Sequence, residues 1–400
     1  MTTRRRFLGL AGATGAAALG LPRLSFAAAP TERRLVLVIL RGGMDGLALV
    51  APHADPDYAK TRQSLAMPPP GDGEDALRDL DGFYGLHPAA GDLYEIWQRN
   101  ELSIVHAVAT PYRGRSHFEA QDVLENGGTT PNRPRDGWLN RTVTAMGGAE
   151  GFAIAVSRQV PLVLQGKAPA ASWAPSALPK QVLGYFTKMA LLYDQDPELG
   201  PIFKTGLETR RRIEFYVPEA DRNAGRGAAR AEDTLTAARL AGAFLAEDDG
   251  ARIAVLEMSG WDTHARQGTS HGRLARRFSA LSAALAEMAD ALGPAWDETA
   301  VVVATEFGRT AAPNGTGGTD HGTGGAALVL GGAVIGGTVH GEWPGLAKAS
   351  LFEGRDLKPT IDMRAVFKGV LRDHMGMATG ALDSVFPGSS GMRPLDGLIV

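Results

Sequence analysis

Short runs in which both alternating sets of positions are apolar recur along the chain, each ending in a Gly- or Asp-containing polar segment. LVLVIL (Leu35–Leu40), LSIVHAV (Leu102–Val108), RIAVLEM (Arg252–Met258), TAVVVAT (Thr299–Thr305) and Ala326–Leu330 read as strands covered on both faces, the pattern of a mainly parallel sheet between helix layers. Between the third and fourth runs, Leu274, Phe278, Leu281, Leu285, Met288 and Leu292 recur at steps of three and four and predict one long helix from about Thr269. Helices are also expected over Pro88–Asn100, over Glu232 to about Glu247, and from Thr360, as cap, to about His374. Phe152–Val156 and Val160–Leu164 look like short strands. From Gly151 to Gly250 the pattern loosens around the Pro/Ala/Ser-rich Ala171–Pro179 and the Gly/Ala/Arg-rich Ala224–Arg230, which suggests a lid or insertion. The fold class expected is α/β: a three-layer α/β/α sandwich with a mainly parallel central sheet.

The amino terminus does not fit that fold. Thr3-Arg4-Arg5-Arg6-Phe7-Leu8 leads into a Gly/Ala/Leu-rich segment through Leu21, and Ser25-Phe26-Ala27 and Ala27-Ala28-Ala29 offer small-residue cleavage sites. This is the layout of a secretory signal over residues 1–29, and the paired arginines before Phe-Leu resemble the twin-arginine export signal. The expectation is a periplasmic or secreted location reached through the twin-arginine machinery, with a mature domain over 30–400. The apolar segment is too short and too glycine-rich to span a bilayer, and no later stretch is long enough, so no stable membrane span is expected.

Composition narrows the function classes. Removing the leader takes away Arg4, Arg5, Arg6 and Arg23 and no acid, which moves the net charge from −3 to −7. A mildly acidic domain has no electrostatic reason to bind nucleic acid. Cysteine is absent, which excludes thiol nucleophiles, thiolate metal sites and iron–sulfur clusters.

Polar residues with metal-ligand chemistry gather where the strands end. RIAVLEM opens into Ser259-Gly260-Trp261-Asp262-Thr263-His264, TAVVVAT into Glu306-Phe307-Gly308-Arg309-Thr310, and Thr319-Asp320-His321-Gly322 precedes the last run. Ligands of parallel α/β sheets bind outside the carboxyl ends of the strands. Asp262, His264, Glu306, Asp320 and His321 are therefore candidate ligands of a divalent metal. Mixed imidazole and carboxylate donors suit Zn²⁺ better than Ca²⁺ or Mg²⁺, which want more oxygens. The first strand ends in Arg41-Gly42-Gly43-Met44-Asp45-Gly46, where Asp45 is either a further ligand or the cap of the next segment. In Pro111-Tyr112-Arg113-Gly114-Arg115-Ser116-His117, a serine stands at an expected helix start. That makes it either a plain N-cap or an anion-facing nucleophile with Arg113 and Arg115 as oxyanion partners. Arg309 is read as an anion clamp or a partner for Glu306. His117 reads as support for a ligand rather than a ligand, and His53, His87, His106 and His374 as ordinary surface or core histidines.

The order of these motifs resembles the alkaline-phosphatase-like superfamily of phosphatases and sulfatases. More closely, LRGGMDGL, RSHFEAQ, GWDTH, TEFGRT and GTDHG resemble an exported family called domain of unknown function 1501. The superfamily resemblance implies divalent metals beside a Ser or Thr nucleophile. It carries Ser116 onto that nucleophile, Asp262 and His264 onto the pair serving one metal, Glu306 onto the start of an Asp-His dipeptide, and His321 onto a late His. Phe307 stands where the His of a second metal would be. An alternative registration makes Asp320-His321 the dipeptide and His340 the late His, with Glu306 behind the ligands; one metal position holds under both. The function this implies is hydrolysis of a small anionic phosphate or sulfate ester. Two other classes stay open: a metal-binding exported scaffold without turnover, and a metal-dependent hydrolase of a different bond.

Overall fold

The five runs predicted as strands lie in one sheet. The computed structural model describes residues 31–148, 151–173, 188–189, 191–193, 195–196, 200 and 229–400, the last stretch with side chains from 234. The leader and the middle of the expected lid lie outside the described residues.

The strands are β1 (Arg34–Arg41), β2 (Leu102–Ala109), β3 (Ala153–Val156), β4 (Ala171–Trp173), β5 (Ile253–Ser259), β6 (Thr299–Thr305), β7 (Gly325–Leu330), β8 (Thr338–His340) and β9 (Ile361–Asp362). Their order across the sheet is β8-β2-β7-β6-β1-β5-β3-β4, and β9 also pairs with β2. β7 runs against β2 and β6, while the other pairings are parallel. Because β7 is reversed, its beginning lies at the rim where its neighbours end: Gly325 is in register with Val108. The loops after β1, β2, β5 and β6 and the loop before β7 therefore share one edge of the sheet.

Alternate residues of each central strand feed opposite cores. Val36, Val38, Leu40, Ala254, Leu256, Val301 and Val303 pack with α1 (Gly91–Gln98), α4 (Ala229–Ala246) and α5 (Arg273–Leu292). Leu35, Leu37, Ile39, Val255, Ala300 and Val302 pack with α3 (Trp138–Ala145), α6 (Met363–Asp373) and α7 (Thr379–Val385). α2 (His117–Asn126) adds Leu124 to that second core. The fold is thus mixed α/β, with a large, mostly parallel sheet covered on both faces. All six positions of the predicted α5 stripe are buried.

Four local expectations need correction. The α5 helix begins at Arg273, because Gly268 and Gly272 take positive φ and turn the chain just before it. Leu162–Leu164 forms a 3₁₀ turn and not a strand, since the rigid Pro161 leads straight into it. Thr360 is not the cap of α6: Ile361–Asp362 first pairs with β2, and the Asp362 carboxylate then accepts from Arg364 N at 2.9 Å. The region 151–250 is not wholly an insertion. β3 and β4 extend the central sheet, and α4 contributes Ala238, Leu240, Ala241 and Leu245 to the core under α5.

Burial also gives the fold a pH dependence. His106 Nε2–H donates to Val50 O at 2.9 Å while Nδ1 accepts from Ala107 N at 2.9 Å, so the ring is held neutral. Burial pushes His106 down to about 4, and does the same to His374, which donates to Arg34 O. The folded values lie below the unfolded one, so stability is intact above about pH 6.5 and is lost as pH falls toward 4. The loss is about 3 kcal/mol for each histidine. Denaturant melts across that window should show the decline, and His106→Gln should flatten it. An unchanged slope in the variant would rule out His106 as a source.

Candidate metal centre

Glycines make the rim compact enough for its loops to touch. Gly42 has φ +127, and a Cβ there would lie 2.5 Å from Asp262 N; one on Gly43 (φ +69) would lie 2.6 Å from the Phe307 ring. At the end of β2, Arg115 takes φ +57, a left-handed conformation uncommon for a residue with a side chain. Its carbonyl accepts from His321 Nδ1 at 2.9 Å. Ser116 then occupies the residue position before α2 without a side-chain capping bond, and His117 is the first residue of that helix.

Three imidazoles and one carboxylate converge here. Ligand atoms of His117, Asp262 and His321 lie within 4.8 Å of one another. Asp262 Oδ1 is 3.5 Å from His117 Nε2, 3.0 Å from His264 Nε2 and 3.3 Å from His321 Nε2. The Nε2 atoms of His264 and His321 are 2.9 Å apart. Each ring is fixed from behind through Nδ1: His117 by Glu306 Oε1 at 2.8 Å, His264 by Asp320 Oδ1 at 3.0 Å, and His321 by the Arg115 carbonyl.

Those partners decide which nitrogen carries the proton. A backbone carbonyl only accepts. Burial raises the Glu306 carboxyl, but bonds from His117, Gln121 and the backbone outweigh it and hold it below the ordinary value. Asp320 is lowered by Asn314 foremost and also by His264. Both are therefore carboxylates at neutral pH, and each Nδ1 donates. In the neutral rings every Nε2 then presents a lone pair. Two lone pairs facing each other across 2.9 Å require a proton or a cation between them. His117 Nε2 is buried and has no hydrogen-bond partner.

This donor set fits a divalent metal. Ligands about 2.0–2.1 Å from a tetrahedral Zn²⁺ stand about 3.3–3.4 Å from each other, and the contacts above bracket that spacing. Hydrogen bonds from carboxylates and carbonyls to the far nitrogen are the usual way metal-binding histidines are oriented. Without metal, His117 is raised, chiefly by Glu306, while His321 is lowered by burial. Metal binding would displace the proton that His117 favours.

The remaining predicted site residues lie around the cluster, and several need reassignment. Glu306 is not positioned as a ligand: its side chain is fully buried, and Oε1 accepts from Gly42 N (2.8 Å), His117 and Gln121 (3.0 Å), while Oε2 accepts from Thr305 Oγ1 (3.0 Å). Asp320 sits behind His264 on the loop into β7, and also accepts from Asn314 at 3.0 Å. Asp45 lies apart, buried, capping the short turn at Gly46–Leu49 and paired with Arg62 at 2.7 Å. Arg309 is buried and reaches the cluster, donating to Asp262 Oδ1 at 2.7 Å; burial raises Asp262, but Arg309's bond and charge outweigh it and lower it. Arg115 is engaged by Asp356 (2.8 Å) and Glu353 (2.5 Å), and Arg113 donates back to its own loop at Thr110 O and Tyr112 O. Arg115 is thus held by two carboxylates, whereas Arg113 is exposed and tied through Nη1 alone to carbonyls of its own loop. His340 is bound to Ser103 Oγ at 3.1 Å and not at the rim. Phe307 packs its ring against His117 and His321, centroids 4.9 and 5.0 Å apart, and offers no donor for a second metal.

The residue that sequence reasoning undervalued is His117. His117 and Gln121 are four apart on one helix face, and both reach Glu306 Oε1, a partner that only the fold brings near.

A family model described as "Protein of unknown function (DUF1501)" matches residues 98–386. The chain belongs to this family. The DUF1501 match spans all four converging residues and the groups behind their rings. No curated protein matches the chain. Among solved structures, a mutant of alkaline phosphatase PafA is 11% identical, with 70% of this chain and 64% of that one covered and a TM-score of 0.36. Phosphonate monoester hydrolase of Agrobacterium radiobacter is 12% identical, with 86% and 74% covered and a TM-score of 0.33. This DUF1501 chain thus spans a little under two thirds of the length of the first of these. Among the described residues, no helix is long and apolar enough to cross a membrane.

Proposed function

We propose that this chain is an exported metal-dependent hydrolase of a phosphate or sulfate ester, with Ser116 as nucleophile and one divalent metal, Zn²⁺ by its donor set, held by His117, Asp262, His264 and His321. One observation carries the reading. Three imidazoles, each tied at Nδ1 to an acceptor, turn Nε2 toward one carboxylate at a partly exposed rim.

When bound, the metal would lower the pKa of a neighbouring hydroxyl and offset charge on the transferring group. The chain's own residues supply the rest. Ser116 begins α2 immediately before His117, and its side chain makes no capping bond. The first N–H groups of a helix lack intrahelical acceptors and favour an anion. Arg309, its N–H groups engaged by Thr319, Gly42 and Asp262, contributes fixed positive charge and not a free fork. The export part of the reading rests on the twin-arginine-like leader, and the ester class on the anion-favouring surroundings of Ser116.

A metal-binding protein without turnover is the second reading, favoured by the engagement of Arg115 with Asp356 and Glu353 and by Phe307 at the position of a second metal. Metal analysis of the purified protein, combined with a screen of chromogenic phosphate mono- and diesters and sulfate esters, separates the two. The expected result is one divalent ion per chain and turnover of one ester class that a chelator removes. Bound metal with no turnover would leave the second reading, and a protein that takes up no metal would end both.

A further inference from the structure

Behind Glu306 the hydrogen bonds continue in a direction that only one arrangement of donors and acceptors allows. Gln121 Nε2 is 3.0 Å from Glu306 Oε1, and Gln121 Oε1 is 3.1 Å from Arg41 Nη1. A guanidinium has donors only, so the oxygen of the Gln121 amide must face Arg41 and its NH₂ must face Glu306. Arg41 is held in turn by Glu125 at 2.8 Å and by Glu257. Glu125 is itself fixed, accepting from Val163 N at 3.0 Å. The chain of bonds joins the ends of β1, β5 and β6 to α2, and it terminates at the His117 ring.

We propose that Gln121 is a positioning residue: fixed between Arg41 and Glu306, its amide keeps Glu306 as an acceptor for His117 Nδ1–H and so leaves His117 Nε2 to the metal. This rests on the metal-centre reading above. Gln121 touches neither metal nor substrate; it acts through Glu306. Removing the amide frees Glu306 Oε1 of one of its three donors and lets the carboxylate, and the ring it holds, reorient. Loss of such a supporting bond weakens metal affinity by about 10–100-fold.

The test is a titration of the metal-stripped full chain with Zn²⁺ in competition with a chromophoric chelator, alongside a melt of the same metal-free protein. Gln121→Met should raise the Zn²⁺ Kd about 10–100-fold while the metal-free melt moves little. Glu306→Gln, which preserves volume, should weaken binding to a similar degree. Adding Gln121→Met to it should weaken binding no further, because both act on one ring. Equal Kd values for wild type and Gln121→Met would overturn the role of Gln121 and leave the metal centre standing. Additive losses in the double variant would likewise overturn it. A wild-type chain that binds no Zn²⁺ would overturn the centre itself.

Discussion

Ser116→Ala is expected to abolish ester turnover and leave the metal in place, whereas Asp262→Ala should lose both. The two residues stand in different relations to the cluster. Asp262 Oδ1 is the atom on which the three Nε2 atoms converge, so deleting it removes the only carboxylate among the proposed ligands. It also leaves the buried Arg309 without its anionic partner, which opposes a cation at the same point. Ser116 is adjacent in sequence to His117, yet none of the bonds that orient the His117 ring passes through its side chain. Removing a nucleophile costs on the order of 10⁶-fold where a full constellation acts as one unit, and at least about 10³-fold is expected here. Turnover and metal content measured on the same preparations check both halves. Undiminished turnover by Ser116→Ala would rule out the serine mechanism, and full metal content in Asp262→Ala would rule out the proposed ligand set.

The strand runs were legible because a strand buried on both faces leaves an unbroken apolar run, as Val301–Ala304 shows with neighbours in both cores. The rim followed from them, since strand ends fix where loops such as Trp261–His264 must lie. The reversal of β7 was not legible: Ala326–Leu330 would read the same in either direction, and only the pairing with β2 and β6 sets it. Roles within the rim were harder still. Glu306 and Asp262 are both acids just beyond a strand. What separates them is that Glu306 is enclosed by Gly42, Gln121 and Thr305, while the Asp262 side chain is 43% exposed. Gly42 and Gln121 come from distant segments, so no local spacing could distinguish a ligand from the residue behind one. His117 was undervalued for the same reason, because its partner lies 189 positions away.

Arg62→Met should destabilise the fold by about 3–5 kcal/mol, the usual consequence of leaving one member of a buried ion pair alone. The side chains of Arg62 and Asp45 are 0% and 1% exposed, and they meet at 2.7 Å. Asp45 Oδ2 also accepts from Gln267 Nε2 at 2.7 Å, and Oδ1 from Ala48 N at 3.2 Å. With Arg62 gone, a carboxylate sealed from solvent and without its cationic partner would remain. Asp45→Asn in the same background removes that charge and should recover much of the loss, as measured by denaturant melts of the metal-free protein. The pair is joined to the rim through Gln267, whose Oε1 accepts from Thr319 Oγ1 at 2.9 Å, and Thr319 in turn accepts from Arg309. Destabilisation should therefore be accompanied by a small change in Zn²⁺ affinity and not by its loss. Asp45→Asn alone provides the decisive comparison. If it keeps its metal, the carboxylate is structural, as its three partners imply; if it folds and binds none, Asp45 is a ligand after all and the rim rearranges when the metal enters.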